Sequence, residues 1–190
     1  SGAGSGGGRE TVTRSGDTEI VTIRPYEADG SLSSDFPEVP GQSGVQWGCS
    51  PPDDGLRQCF AMYTEHAVPF CSVSGTTAWC PSPPPSGVEV LFERYPNTTT
   101  NSSDSTPLGP ESGPAPYLVE LTDGTVCRIG IFRGNMHSGY TPHYQCLDGY
   151  NRQLFAPEGG AAFDTSGGTW TTREGDYTDG STRLVSTSVA

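Results

Sequence analysis

The sequence predicts a mainly β fold: a disulfide-stapled antiparallel sandwich or barrel-like domain with a flexible N-terminal tether and a long Pro/Ser/Thr insertion. Three observations carry that expectation. Short runs rich in β-branched and aromatic residues recur about every 8–12 residues, with Gly, Pro, Asn or Asp clusters between them. No helical periodicity is sustained anywhere, apart from a weak stretch at Cys59–His66 that reads equally well as strand. Finally, six cysteines stand in a chain of 190 residues with only 32 Leu, Ile, Val and Phe. So few large apolar side chains cannot build a large core, and cross-links are the usual compensation.

The elements follow in order. Residues 1–17 open with a Gly/Ser run and carry no apolar pattern, so they read as a flexible tether. Glu19 to Tyr26 forms a short strand that Pro25 limits to an edge or an end, and residues 27–44 look irregular. Val45–Cys49, Leu56–Tyr63, Val68–Val73, Thr77–Cys80 and Val88–Phe92 continue as short strands. Tyr95 to Pro116 is Pro, Asn, Thr, Ser and Gly with Leu108 as its one aliphatic, an exposed linker or insertion. Asn97-Thr98-Thr99 and Asn101-Ser102-Ser103 within it match the N-glycosylation acceptor pattern, though such a segment stays solvated without a glycan.

The second half has the clearer pattern. Tyr117–Leu121 and Val126–Phe132 flank Asp123-Gly124, the strongest short-range hairpin signal. Tyr144–Cys146 and Gln153–Phe155 are further strands. A last hairpin runs from Thr169 through Asp179-Gly180 to Val189. The organisation is a tether (1–17), a β-rich half with four cysteines (18–95), a linker (96–116) and a β-rich half with one disulfide (117–190), the two halves forming one domain.

Composition excludes several functions. The chain holds 22 carboxylates against ten Arg and no Lys, a net charge of −12. Nucleic-acid binding rests on clustered cations that neutralise phosphate, and none cluster here. No run approaches the roughly 18 apolar residues of a spanning helix. The acidity also disfavours anionic lipid surfaces.

The cysteines Cys49, Cys59, Cys71, Cys80, Cys127 and Cys146 include no CxxC, so neither a zinc knuckle nor a thioredoxin-type pair has its spacing. Three disulfides in an oxidising compartment are expected. Local pairing places each bond around a Gly-containing turn: Cys49–Cys59, Cys71–Cys80 and Cys127–Cys146. A nested alternative, Cys49–Cys80 with Cys59–Cys71, fits a hairpin centred near Glu65.

Candidate chemistry is sparse. His137 and His143 share a loop with Cys146 close behind, but that sulfur is better used in a disulfide, and a metal site needs three or four ligands. No GxSxG occurs, and SxxK requires a lysine. Asp53-Asp54 sits in a Pro-Pro-Asp-Asp-Gly turn and reads as turn chemistry. Glu174 to Asp179 departs from the EF-hand order. The sequence therefore offers no catalytic residue, metal site or cofactor. What it does offer is a group of aromatic and imidazole side chains around the third cystine: His137, Tyr140, His143, Tyr144 and Tyr150. Such rings suit contact with a protein or glycan, although a chain short of aliphatics must also spend Tyr and Trp on its core. Trp47-Gly48-Cys49 and Trp79-Cys80 read as Trp packed on a disulfide.

The run Leu118-Val119-Glu120-Leu121-Thr122-Asp123-Gly124-Thr125-Val126-Cys127-Arg128, followed by Tyr144-Gln145-Cys146-Leu147-Asp148-Gly149, resembles small exported actinobacterial cell-envelope proteins. Arg without Lys, beside abundant Gly, Pro and Thr, is similar to the product of GC-rich coding. The resemblance implies an extracytoplasmic location, in the envelope or secreted, and transfers no site residue. The N-terminal Gly/Ser run resembles the spacer behind the lipid-bearing Cys of bacterial lipoproteins. An N-terminal lipid anchor is the inference, and the same composition serves equally as an artificial linker. The expected function is a non-enzymatic binding or accessory module for a membrane protein complex or a wall component, with a protein or glycan of the envelope as partner. The alternative is a secreted hydrolase with an unrecognised active site using His137 or His143 as base.

Overall fold

The computed structural model describes residues 10–41, 47–49, 57–61, 67–82, 90–96, 110, 112–130, 139–148, 152–176 and 184–190, with the backbone alone at 47–49, 57, 58, 60, 61, 67–69 and 176. The described residues contain strands and no helix, so the mainly β expectation holds.

The chain begins with a two-stranded ribbon, β1 (Glu10–Ser15) and β2 (Thr18–Ile23), in continuous antiparallel register from Glu10↔Ile23 to Ser15↔Thr18. This corrects the tether, expected to run to residue 17. Thr11-Val12-Thr13 is β-branched throughout, and Gly16-Asp17 makes a two-residue hairpin turn with Gly16 at φ +62°. The ribbon seats its turn against the far end of the chain. Asp17 N–H donates to the Gly168 carbonyl at 2.8 Å, and buried Thr18 accepts from Trp170 N–H at 2.9 Å while donating to the Val189 carbonyl at 3.0 Å. Without those partners a two-stranded ribbon is only marginally stable in water.

The first large sheet holds β3 (Glu38–Pro40), β4 (Trp47–Cys49), β5 (Arg57–Ala61), β6 (Ala67–Ser74), β7 (Thr77–Ser82) and β8 (Leu91–Pro96), in the order β3-β8-β7-β6-β5-β4. Pairing is antiparallel except between β3 and β8, which are parallel with Glu38 opposite Phe92. β3 falls in the stretch expected to be irregular. Three residues show no periodicity, and the partner strand lies more than 50 positions on. β8 starts at Leu91 and carries Tyr95 into the core, so the linker begins later than Tyr95.

Cys71 and Cys80 are joined across β6 and β7. The hairpin turn at Gly75 makes them neighbours, which corrects the nested pairing. The register also sets Cys49 opposite Cys59, and Cys59 is disulfide-bonded. Trp79 does not pack on the cystine. Neighbouring residues of a strand face opposite sides: Cys80 is buried, while Trp79 turns outward and its Nε1 donates to Glu38 at 2.8 Å.

The second sheet comprises β9 (Leu118–Glu120), β10 (Val126–Ile129), β11 (Tyr140–Cys146), β12 (Arg152–Pro157), β13 (Phe163–Asp164), β14 (Thr171–Asp176) and β15 (Val185–Ser188). Its order is β13-β14-β12-β11-β10-β9, with β15 also paired to β14. The sheet curls until its ends meet. Leu121 bridges Val189, Ala190 N–H donates to the Glu120 carbonyl at 2.9 Å, and Thr122 N–H donates to the Ser188 carbonyl at 3.0 Å. This near-closure is the barrel-like element the sequence anticipates. Inside sit Val119, Leu121, Cys127, Ile129, Tyr144, Cys146, Leu154, Ala156, Phe163 and Val189. Cys127 and Cys146 lie directly opposite each other on β10 and β11 and are bonded.

Aromatic side chains connect the two sheets. Phe70 of β6 meets Tyr117 edge to face, with centroids 6.3 Å apart and planes at 89°. The Tyr117 hydroxyl donates to the Pro81 carbonyl at 3.0 Å. Phe70 has φ +61°, the one non-glycine in the left-handed region among the described residues. It lies where β6 changes partners, inside the register shift against β5 between Val68↔Cys59 and Cys71↔Arg57, and just before pairing with β7 begins at Ser72.

Candidate functional site

The residues singled out from sequence around the third cystine fall on both sides of β11. Tyr144 and Cys146 point into the barrel, and Tyr144 is fully buried. Its ring meets Phe163 edge to face at 5.3 Å and its hydroxyl donates to the Pro116 carbonyl at 3.0 Å. Burial drives the phenol pKa far above its ordinary value. Tyr144 is therefore a core residue and cannot serve as a contact residue. It fills the volume that the missing aliphatics leave.

Tyr140 and His143 share the opposite, outer face. A bulge makes this possible: Pro142 pairs with Phe155 and Tyr144 with Leu154, so one extra residue, His143, is inserted on β11. Such a bulge resets the alternation, leaving Tyr140, Pro142 and His143 together on the side away from the core. Both Tyr140 and His143 are half-buried. The His143 carbonyl accepts from Gly130 N–H at 3.1 Å, pinning the bulge to the end of β10. His137 and Tyr150 lie outside the described residues, as do Asp53-Asp54, residues 97–106 and the Asp179-Gly180 turn.

The sequence reading missed two partners on this face. Arg173 of β14 stands opposite Phe155, and its guanidinium lies 5.4 Å from the Tyr140 ring centroid. An exposed cation over a half-buried ring forms a flat amphipathic platform that keeps unused donors for a ligand. Phe155 lies in the same row, between Pro142 and Arg173. The signal was present in Thr171-Thr172-Arg173-Glu174, where strand alternation puts Thr172 inward and Arg173 outward. What could not be read was which strand would lie alongside.

A second polar cluster ties loops together. Arg152 donates to Glu174 at 2.6 Å, Asp123 at 2.9 Å, Asp148 at 3.3 Å and the Thr125 hydroxyl at 2.7 Å. These partners come from the β9–β10 turn, the end of β11 and β14. Asp123 also accepts the Thr125 N–H, and these bonds together with Arg152 hold its carboxyl down at about 2. Glu174 is thus occupied with an arginine and is not free to serve a cation. The sulfurs of Cys59, Cys71 and Cys80 converge within 4.8 Å, but all three are oxidised, so no thiolate is offered to a metal.

Disulfides of this kind fit an oxidising, extracytoplasmic environment. No helix among the described residues is long and apolar enough to cross a membrane. No known protein family, no curated protein and no solved structure matches the chain.

Proposed function

We propose that the chain is a non-enzymatic binding or accessory module of the cell envelope, engaging a protein or glycan partner through the outer face of β11 and β14. The observation that carries this reading is the Tyr140–Arg173 platform, 5.4 Å from guanidinium to ring. It is set on strands that both pair with β12, over the buried Pro142 and Phe155 and beside half-buried His143. Rings backed by a rigid sheet lose little entropy on contact, and Tyr and Arg are the residues that dominate binding energy in interfaces. The stapled sheets supply the rigidity, and two disulfides suit an exported protein.

The test is photo-cross-linking on intact envelopes, because a chain without lysine gives amine-reactive reagents no internal side-chain target. A photo-activated residue at His143 or Arg173 should give a discrete, stoichiometric adduct. Y140A and R173A should each weaken retention on isolated envelope material by about tenfold, roughly 1.4 kcal/mol. Neither substitution touches the barrel interior, so unchanged thermal unfolding separates lost binding from lost folding. Retention unaffected by both substitutions would remove this face from consideration.

A further inference from the structure

Among the described residues the outer edge of β1 is open: β1 pairs with β2 alone, and every residue from Glu10 to Arg14 is exposed. Proteins usually protect such an edge with a bulge, a proline or repelling charges. β1 has an unbroken register, no proline, and two charges of opposite sign placed symmetrically about Val12.

The direction of the free backbone groups follows from the turn. Gly16 and Asp17 form a two-residue loop, so Ser15 and Thr18 are the closing hydrogen-bonded pair. Alternation then makes Thr13 with Ile20 and Thr11 with Thr22 bonded pairs. Glu10, Val12 and Arg14 accordingly turn their N–H and C=O groups outward, and their side chains share one face. On that face Val12 and Val21 stand across from each other at 50% and 51% exposure, and Arg14 holds Glu19 at 2.8 Å.

We infer that β1 is the pairing edge for a second copy of this chain, joined antiparallel about a two-fold axis at Val12. Only an even offset matches outward groups with outward groups, and centring on Val12 uses all three residues. Val12 then bonds the second copy's Val12, and Glu10 lies opposite the second copy's Arg14 at both ends. The result is a four-stranded sheet, β2-β1-β1-β2. A row of four valines, two from each copy, crosses its middle, and charges alternate along the flanking rows. Charges that would repel most strands attract this one, because the sequence Glu-Thr-Val-Thr-Arg is complementary to its own antiparallel copy. The edge-to-edge contact is smaller than a standard interface, so the dimer is weak and concentration-dependent.

The experiment is sedimentation equilibrium from micromolar to near-millimolar protein. The wild-type chain should shift from monomer to dimer across that range. E10R sets Arg against Arg14, and R14E sets Glu against Glu10, so each variant alone should stay monomeric. Mixed together they should form a heterodimer, since both cross-pairs become attractive; native mass spectrometry distinguishes the species. V12P removes the central N–H while leaving the bonds to β2 intact, and should abolish association with unchanged far-ultraviolet dichroism. A wild-type chain that stays monomeric throughout would overturn the assignment. So would single charge variants that dimerise as well as wild type, or a mixture that does not pair.

Discussion

Replacing Phe70 with glycine is expected to harm the protein less than replacing it with alanine, the reverse of the usual order in a strand. Both substitutions delete a half-buried ring that meets Tyr117 at 6.3 Å. Full burial would make that loss about 3–5 kcal/mol, so roughly 2 kcal/mol is expected here. The two variants differ in the backbone. At φ +61°, an L side chain crowds the following carbonyl at a cost of about 1–2 kcal/mol. Glycine escapes this but loses roughly 0.5–1 kcal/mol through the greater freedom of its unfolded chain. The net result favours F70G by about 0.5–1 kcal/mol, whereas an ordinary β position favours alanine by a similar amount. Urea unfolding at constant pH with disulfides intact, read by circular dichroism and fitted with a common slope, resolves the order through the midpoints. If F70A proves as stable as F70G or more so, the left-handed conformation is not what aims this ring, and the account of how β6 changes partners falls with it. The wild-type side chain is favoured because that conformation sends the ring to Tyr117 and the carbonyl to the Tyr26 hydroxyl, 2.7 Å away.

Three further outcomes follow from the same geometry. A Cβ at Gly16 would lie 1.1 Å from the Gly168 carbonyl oxygen, so G16A should unseat the ribbon; amide exchange at residues 10–23 should accelerate while the barrel amides keep their protection. Removing the Cys127–Cys146 bridge with C127A/C146A closes no loop in the unfolded chain, and for a separation of 19 residues this should cost about 3 kcal/mol in denaturant unfolding, more than C71A/C80A with a separation of nine. Asp123 has a carboxyl pKa lowered from 3.8 to about 2, so its contribution is complete above pH 3.8 and lost as pH falls through about 2; D123N should flatten the acid limb of the stability profile in that window, and equal limbs in both proteins would refute the assignment.

Local patterns reached a long way into this fold. The Asp123-Gly124 hairpin and the alternation of β10 are visible in the chain because both depend on neighbours within a few residues. The bonds Cys71–Cys80 and Cys127–Cys146 follow from hairpin turns for the same reason. The misses share a different cause. β1 was hidden because a polar, β-branched strand with both faces wet has no apolar period to detect, and its seat is built from Gly168, Trp170 and Val189, more than 150 residues away. β3 was hidden by its length and by a parallel partner far along the chain. Around the candidate site, the aromatic residues were recognisable by type, but their sides were not. The bulge at His143 keeps Tyr140 and His143 on one face and sends Tyr144 to the other.

The chain by itself determined a β fold, the Cys127–Cys146 cross-link and an acidic composition without lysine, since these rest on composition and on contacts short in sequence. The choice of Cys71–Cys80 over the nested pairing came from the register of β6 and β7. The tertiary structure alone decided that Arg173 covers Tyr140, that Arg152 gathers three carboxylates, and that the second sheet closes on itself at Leu121 and Val189. Each of those joins strands whose pairing is set by which faces can be buried together, and that choice is made only when the whole chain is compact.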